Sequence, residues 1–132
     1  MAGASEFQVR SSKKIERLDV TAEVKRACGT LGGAPAAILV SVPHTTAAVT
    51  VGEAWDPDVT TDLERALAAW VPKVRFDHGE GNSAAHFLSE AIGASCLVPC
   101  EGGKPLLGRW QGIFVIELDG PRERTVRITP LG

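Results

Sequence analysis

Apolar and polar residues alternate through Phe7, Gln8, Val9 and Arg10, which predicts a strand over residues 6–13. The period then lengthens. Leu18, Val24 and Ala27 recur at near-helical spacing beside Asp19 and Thr21, either of which can cap. A helix is therefore expected over 18–27, ended by Gly29, Gly32 and Gly33. Residues 36–42 are strongly apolar between Pro35 and Pro43, the mark of a buried strand, and 47–51 are rich in β-branched residues. Asp56-Pro57-Asp58 opens a helix with Val59, Leu63, Ala66, Leu67 and Trp70 on one stripe, until Pro72 stops it. Residues 73–83 show no period. Asn82 or Ser83 can cap a short helix through His86, Phe87, Leu88 and Ala91, closed by Gly93. Strands are expected over 95–99, 112–118 and 125–129. Residues 106–110 lead into the second, and Asp119-Gly120-Pro121-Arg122 forms a hairpin-like link between the last two.

Strands outnumber helices, in mixed order. The expected class is α+β, with mainly antiparallel strands, helices on one side and a folded-over sheet. The 132 residues suit one domain over 6–132, with 1–5 frayed. The net charge of -2 offers no basic excess, so no nucleic-acid partner is expected. No apolar run approaches the roughly 20 residues of a membrane span, and the first residues lack a secretory pattern. The expectation is a cytoplasmic chain with no membrane partner.

Cys28, Cys96 and Cys100 are an odd set, which argues against a disulfide framework. Cys96 and Cys100 share a strand face as i, i+4. They read as small buried thiols in reduced form rather than zinc ligands.

The chain has three histidines, at 44, 78 and 86. His44 follows a buried strand and precedes the hydroxyls of Thr45 and Thr46. His78 lies in the turn-rich run Asp77-His78-Gly79-Glu80-Gly81-Asn82, where carboxylates can orient an imidazole through its second nitrogen. His86 stands early in a helix. Singly, each is as consistent with a hydrogen-bonded structural histidine as with a ligand. Together they occupy strand-end, loop and helix-start positions, where sites are assembled. A His-rich open site is a common catalytic zinc arrangement.

A second cluster spans residues 102–112. Its glycines permit close backbone approach, Lys104 and Arg109 supply charge, and Gln111 beside Trp110 can hydrogen-bond a polar ligand. The P-loop pattern is absent. A strand-end turn with a packed Trp110 explains the same residues. Glu53 and Asp56 flank Trp55, and Asp56 reads first as a helix cap.

The runs HTTA at 44–47, EAWDPDV at 53–59, HGEGNSAAH at 78–86, LGRWQGI at 107–113 and DGPR at 119–122 resemble the YjbQ family, in order and over nearly the whole chain. The resemblance implies an α+β fold with a β-sandwich-like core and a homotrimer. It implies a pocket where His44, His78 and His86 gather around a metal or an anion. It also implies a secondary thiamine-phosphate synthase activity, joining hydroxymethylpyrimidine diphosphate to a thiazole phosphate with release of pyrophosphate. Gly52 departs from the asparagine common before the glutamate, and Phe87-Leu88-Ser89 departs from more basic residues.

On this reading a divalent metal, zinc by ligand type, is held by His44, His78 and His86. Thr45, Thr46, Asn82, Ser83, Arg109, Trp110 and Gln111 line a pocket for a phosphorylated or anionic metabolite. Glu80, His78 and His86 are the catalytic candidates. A non-catalytic binding module and a metal-dependent hydrolase are the rival readings.

Overall fold

A computed structural model describes residues 3–132. The chain runs β1 (Ser5–Arg10), β2 (Glu16–Asp19), α1 (Thr21–Leu31), β3 (Ala37–Ser41), β4 (Ala47–Glu53), α2 (Pro57–Ala69) and α3 (Ser83–Ile92). It continues through β5 (Ser95–Glu101), β6 (Lys104–Pro105), β7 (Gln111–Glu117) and β8 (Glu123–Leu131). Two antiparallel sheets result, one ordered β1-β8-β3-β5-β6 and one ordered β2-β7-β4. The α+β class and antiparallel layering follow the expectation.

β7 organises the core. Every residue from Gly112 to Leu118 is buried, because both faces of the strand are covered. Ile113 and Val115 face the larger sheet, beside Ile38, Val40 and Ile128. Phe114, Ile116 and Leu118 face α3, beside Ala85 and Leu88. Val24 and Cys28 of α1 join the inter-sheet cluster. Cys96 and Cys100 do share a face of β5, and all three cysteines are free thiols.

Several expectations need correction. Leu18 is a strand residue paired with Val115, so the helix starts at Thr21 and runs through Gly29. Its spacing imitated a helix because a four-residue strand abuts one. The 119–122 turn is not a hairpin link, since β7 and β8 lie in different sheets and the chain crosses between them there. A Cβ at Gly120 would lie 2.4 Å from the Lys13 carbonyl oxygen, so glycine is required at that crossing. Residues 106–110 do lead into β7, as loop and turn. Of the residues expected to fray, Ser5 pairs with Ile128, and residues 1–2 lie outside the described part. The α2 stripe exists, but no α2 residue is fully buried.

At the end of β7, Glu117 is 0% exposed and is met by Arg124 of β8, itself 4% exposed. Arg124 Nε donates to Glu117 Oε1 at 2.9 Å, and Nη2 reaches Oε2. Ser11 Oγ and the Leu118 and Asp119 amides also donate to the carboxylate. Burial pushes the Glu117 pKa up, but the bonds from Arg124, Ser11 and the Asp119 amide, with the Arg124 charge, outweigh it. The carboxyl is held below its ordinary 4.5. Its contribution to stability is therefore complete above pH 4.5 and is lost as pH falls through the lowered value. Arg124→Ala leaves a buried carboxylate unpaired and is expected to lose on the order of 3–5 kcal/mol in urea unfolding. Glu117→Gln should flatten the acid limb of the stability curve. An acid limb identical to wild type would remove Glu117 from that role.

Candidate functional site

The segment 42–46 carries the chain from β3 in one sheet to β4 in the other, which places His44, Thr45 and Thr46 at an end of the sandwich. α3 packs against β4 and brings His86 to the same end. His44, Thr45 and His86, with Ser89, Glu90 and Gly93, line a cleft of about 390 Å³.

Each imidazole there has a definite tautomer. A backbone carbonyl only accepts, so His86 Nδ1, 3.1 Å from the Thr45 carbonyl oxygen, must carry the proton. Nε2 is then the free nitrogen of a cleft-lining ring. A backbone amide only donates, so His44 Nε2 accepts from the Thr125 N–H at 2.9 Å. Burial and the Arg124 charge lower the His44 pKa below its ordinary 6.5, against the opposing pull of Glu117. The His78 ring centroid lies 5.6 Å from that of His86, edge to face, and His78 Nε2 is 3.9 Å from Glu80 Oε1. The three histidines thus form two adjacent rings and one anchored ring. Fixing a ring through Nδ1 on a carbonyl is what a metal-binding histidine needs, and His86 has it. His44 does not fit: the lone pair a metal would take is held by Thr125. No group of three or more His, Cys, Asp or Glu among the described residues is placed to hold a metal. The three-histidine zinc set therefore does not fit this chain.

The anion-contact expectations divide. Thr45 is exposed beside the cleft, whereas Thr46 turns inward. Thr46 carbonyl and Oγ1 accept from Arg124 Nη2 at 2.9 and 2.8 Å, which removes it from any ligand. Asn82 Nδ2 donates to Asp119 Oδ2 at 3.0 Å, leaving Oδ1 buried without a partner. Neither Asn82 nor Ser83 caps α3 through its side chain, so the helix opens with uncapped amides. Asp56 does cap α2, accepting from the Asp58 amide at 2.9 Å.

Arg109, Trp110 and Gln111 lie elsewhere. β4 runs from Ala47, beside Thr46, to Glu53, which pairs with Gln111. At ~3.3 Å per residue that end is about 20 Å from the histidine cleft. Arg109 stacks on Trp110 at 4.8 Å, Trp110 meets Trp55 edge to face at 4.8 Å, and Gln111 Oε1 accepts from the Gly108 amide. Within one chain they do not join the histidines. Sequence reasoning missed Ser89 and Glu90 as cleft residues, because only the packing of α3 on β4 turns them there.

A family profile described as UPF0047 protein YjbQ-like matches residues 5–132. The chain belongs to that family. It is 42% identical to the UPF0047 protein YugU of Bacillus subtilis over 128 residues, 96% of this chain and 97% of that one. It is 39% identical to a UPF0047 protein of Methanocaldococcus jannaschii, over 96% and 92% of the two chains. Among solved structures, an uncharacterized YjbQ/UPF0047 protein of Clostridium acetobutylicum superposes with TM-score 0.90 at 40% identity, covering 96% and 99%. A YbjQ-like protein of unknown function from Sulfolobus solfataricus gives 0.91 at 28%, covering 100% and 98%. Among the described residues no helix is long and apolar enough to cross a membrane.

Nitrogen NMR is expected to find His44 as the Nδ1–H tautomer, titrating below 6.5. An Nε2–H tautomer would remove the Thr125 anchor. Purified protein is expected to hold well below one zinc per chain. Stoichiometric zinc that is lost in His44→Ala would restore the three-histidine set.

Proposed function

We propose that the cleft between His44 and His86 binds a small phosphorylated metabolite and runs a transferase reaction of the thiamine-phosphate synthase type. One observation carries the reading. The Thr45 carbonyl holds His86 by Nδ1, leaving Nε2 free in the cleft, on the helix whose first-turn amides carry no side-chain cap. The uncapped start of α3 lies ahead of the cleft-lining His86 and favours an anion through its amides and partial positive charge, against the Glu90 carboxylate that also lines the cleft. His78 adds a second imidazole beside His86, with Glu80 near it, and Thr45 adds a hydroxyl.

In this reaction the thiazole nitrogen forms a bond to the pyrimidine methylene as the carbon–oxygen bond to diphosphate breaks. The electron pair leaves with pyrophosphate, and the ring nitrogen gains the positive charge. That nitrogen has a free lone pair and needs no base. The protein's part is then alignment and stabilisation of the leaving diphosphate. The family resemblance supports this choice of substrates, and it supports a homotrimer as the working assembly, which light scattering tests.

The decisive assay supplies both substrates and reads pyrophosphate release. With Nδ1 held by the Thr45 carbonyl, it is the protonated ring that presents an Nε2–H to the diphosphate, and His86→Ala is expected to lower kcat/KM by roughly 100-fold, the scale of removing one preorganised donor. Wild-type protein that releases no pyrophosphate yet binds the diphosphate saturably would be a binding module, and the transferase reading would fall.

A further inference from the structure

Arg17 is a buried charge that the histidine cleft does not use. It lies on β2, 6% exposed, with Cζ 3.5 Å from the centroid of the Phe114 ring. Nη1 donates to Thr60 Oγ1 at 2.8 Å, and among the described residues that is the guanidinium's one hydrogen bond. Among the described residues no carboxylate stands at ion-pair distance from it. Glu53, Asp19 and Glu64 act on it from further away, and Asp19, Glu53 and Asp56 line with it a smaller pocket of about 180 Å³. Gly52 makes room for it, since a Cβ there would lie 2.6 Å from Nη2.

The guanidinium lines a groove of about 410 Å³, within the range of small-molecule sites. Leu63 and Leu67 of α2, with Trp70 just after its end, form one wall, and Val51 and Ile116 form the other. Arg17 is the sole charged residue lining it. Leu63 and Trp70 remain 41% and 51% exposed. The groove is thus mainly apolar, with Thr50 as its one neutral polar side chain and Arg17 as its one cation, and guanidinium nitrogens remain free to donate.

A planar carboxylate matches that free edge, while a polar or multiply charged ligand would lose hydration against the apolar walls. We propose that this groove is a second ligand site, separate from the histidine cleft, that takes a small monocarboxylate with an apolar body. The carboxylate pairs with Arg17 and the apolar body lies along α2. From Leu63 to Trp70 the helix rises ~10 Å, which sets the length of the apolar part.

Octanoate is the probe, with 1-octanol as its neutral match, titrated calorimetrically into the full chain in its solution assembly. Saturable uptake of one octanoate per chain is expected. Arg17→Met should weaken it at least tenfold, and octanol should bind wild type no better than octanoate binds that variant. Ala66→Trp fills the groove without touching a partner of Arg17. It should abolish octanoate uptake and leave diphosphate binding at the histidine cleft unchanged. The proposal is overturned by absent saturation in wild type, or by equal octanoate affinity in Arg17→Met. It is also overturned if Ala66→Trp breaks an assembly that octanoate leaves intact, since the groove would then belong to a second copy of the chain.

Discussion

Glu117 can keep its charge inside the protein only while Arg124 reaches it, and much of the sandwich end is arranged around that contact. Glu117 terminates the smaller sheet's central strand and Arg124 belongs to the larger sheet, so the pair joins the two layers. The same Arg124 Nη2 takes the Thr46 carbonyl and hydroxyl. The neighbouring Thr125 amide takes His44 Nε2. Breaking the pair would leave a carboxylate buried and would release the 42–46 crossover at once. The buried ion pair thereby ties the crossover that carries His44 to both sheets, and removing either partner would leave the other's charge buried.

The parts of the fold legible in sequence are those decided by local pattern. The apolar run Ile113-Phe114-Val115-Ile116 within β7, the Asp56-Pro57 helix start and the Pro-bounded β3 each specify their element within a few residues. Leu18 was misread because a short strand followed at once by a helix leaves no room for either period to establish itself. The Asp119-Gly120 turn resembled a hairpin because hairpin residues also suit a chain crossing between layers. Only pairing with β1 and β3, distant in sequence, assigns β8 to the larger sheet.

The site was legible in part for the same reason. His44, Thr45 and His86 are named by their types and positions, and packing of α3 on β4 brings them together. Thr46 had equal standing as a hydroxyl neighbour, yet in the bend before β4 it is buried and bonded to Arg124. Asn82 looked like a cap, but Asp119 claims its amide from 37 residues away. Arg109, Trp110 and Gln111 share a sequence signature with the histidines and still sit a full strand length from them. Residue type proposed each contact, and long-range pairing decided it.

Arg17 and Glu117 show why buried charge carries different meanings within one fold. Both lie on strands of the smaller sheet, and both have lost most of their water. Glu117 receives donors from Arg124, Ser11 and two backbone amides, so its environment is closed and its role is cohesion. Arg17 receives one hydroxyl and one aromatic face, and it borders both the open apolar groove and a smaller pocket that Asp19, Glu53 and Asp56 also line. Desolvation lowers its pKa, with only distant carboxylates opposing, and the fold supplies no closer counter-charge. A group retained at that cost, where Gly52 leaves space for it, is better explained by something that binds than by something that holds the sheet together.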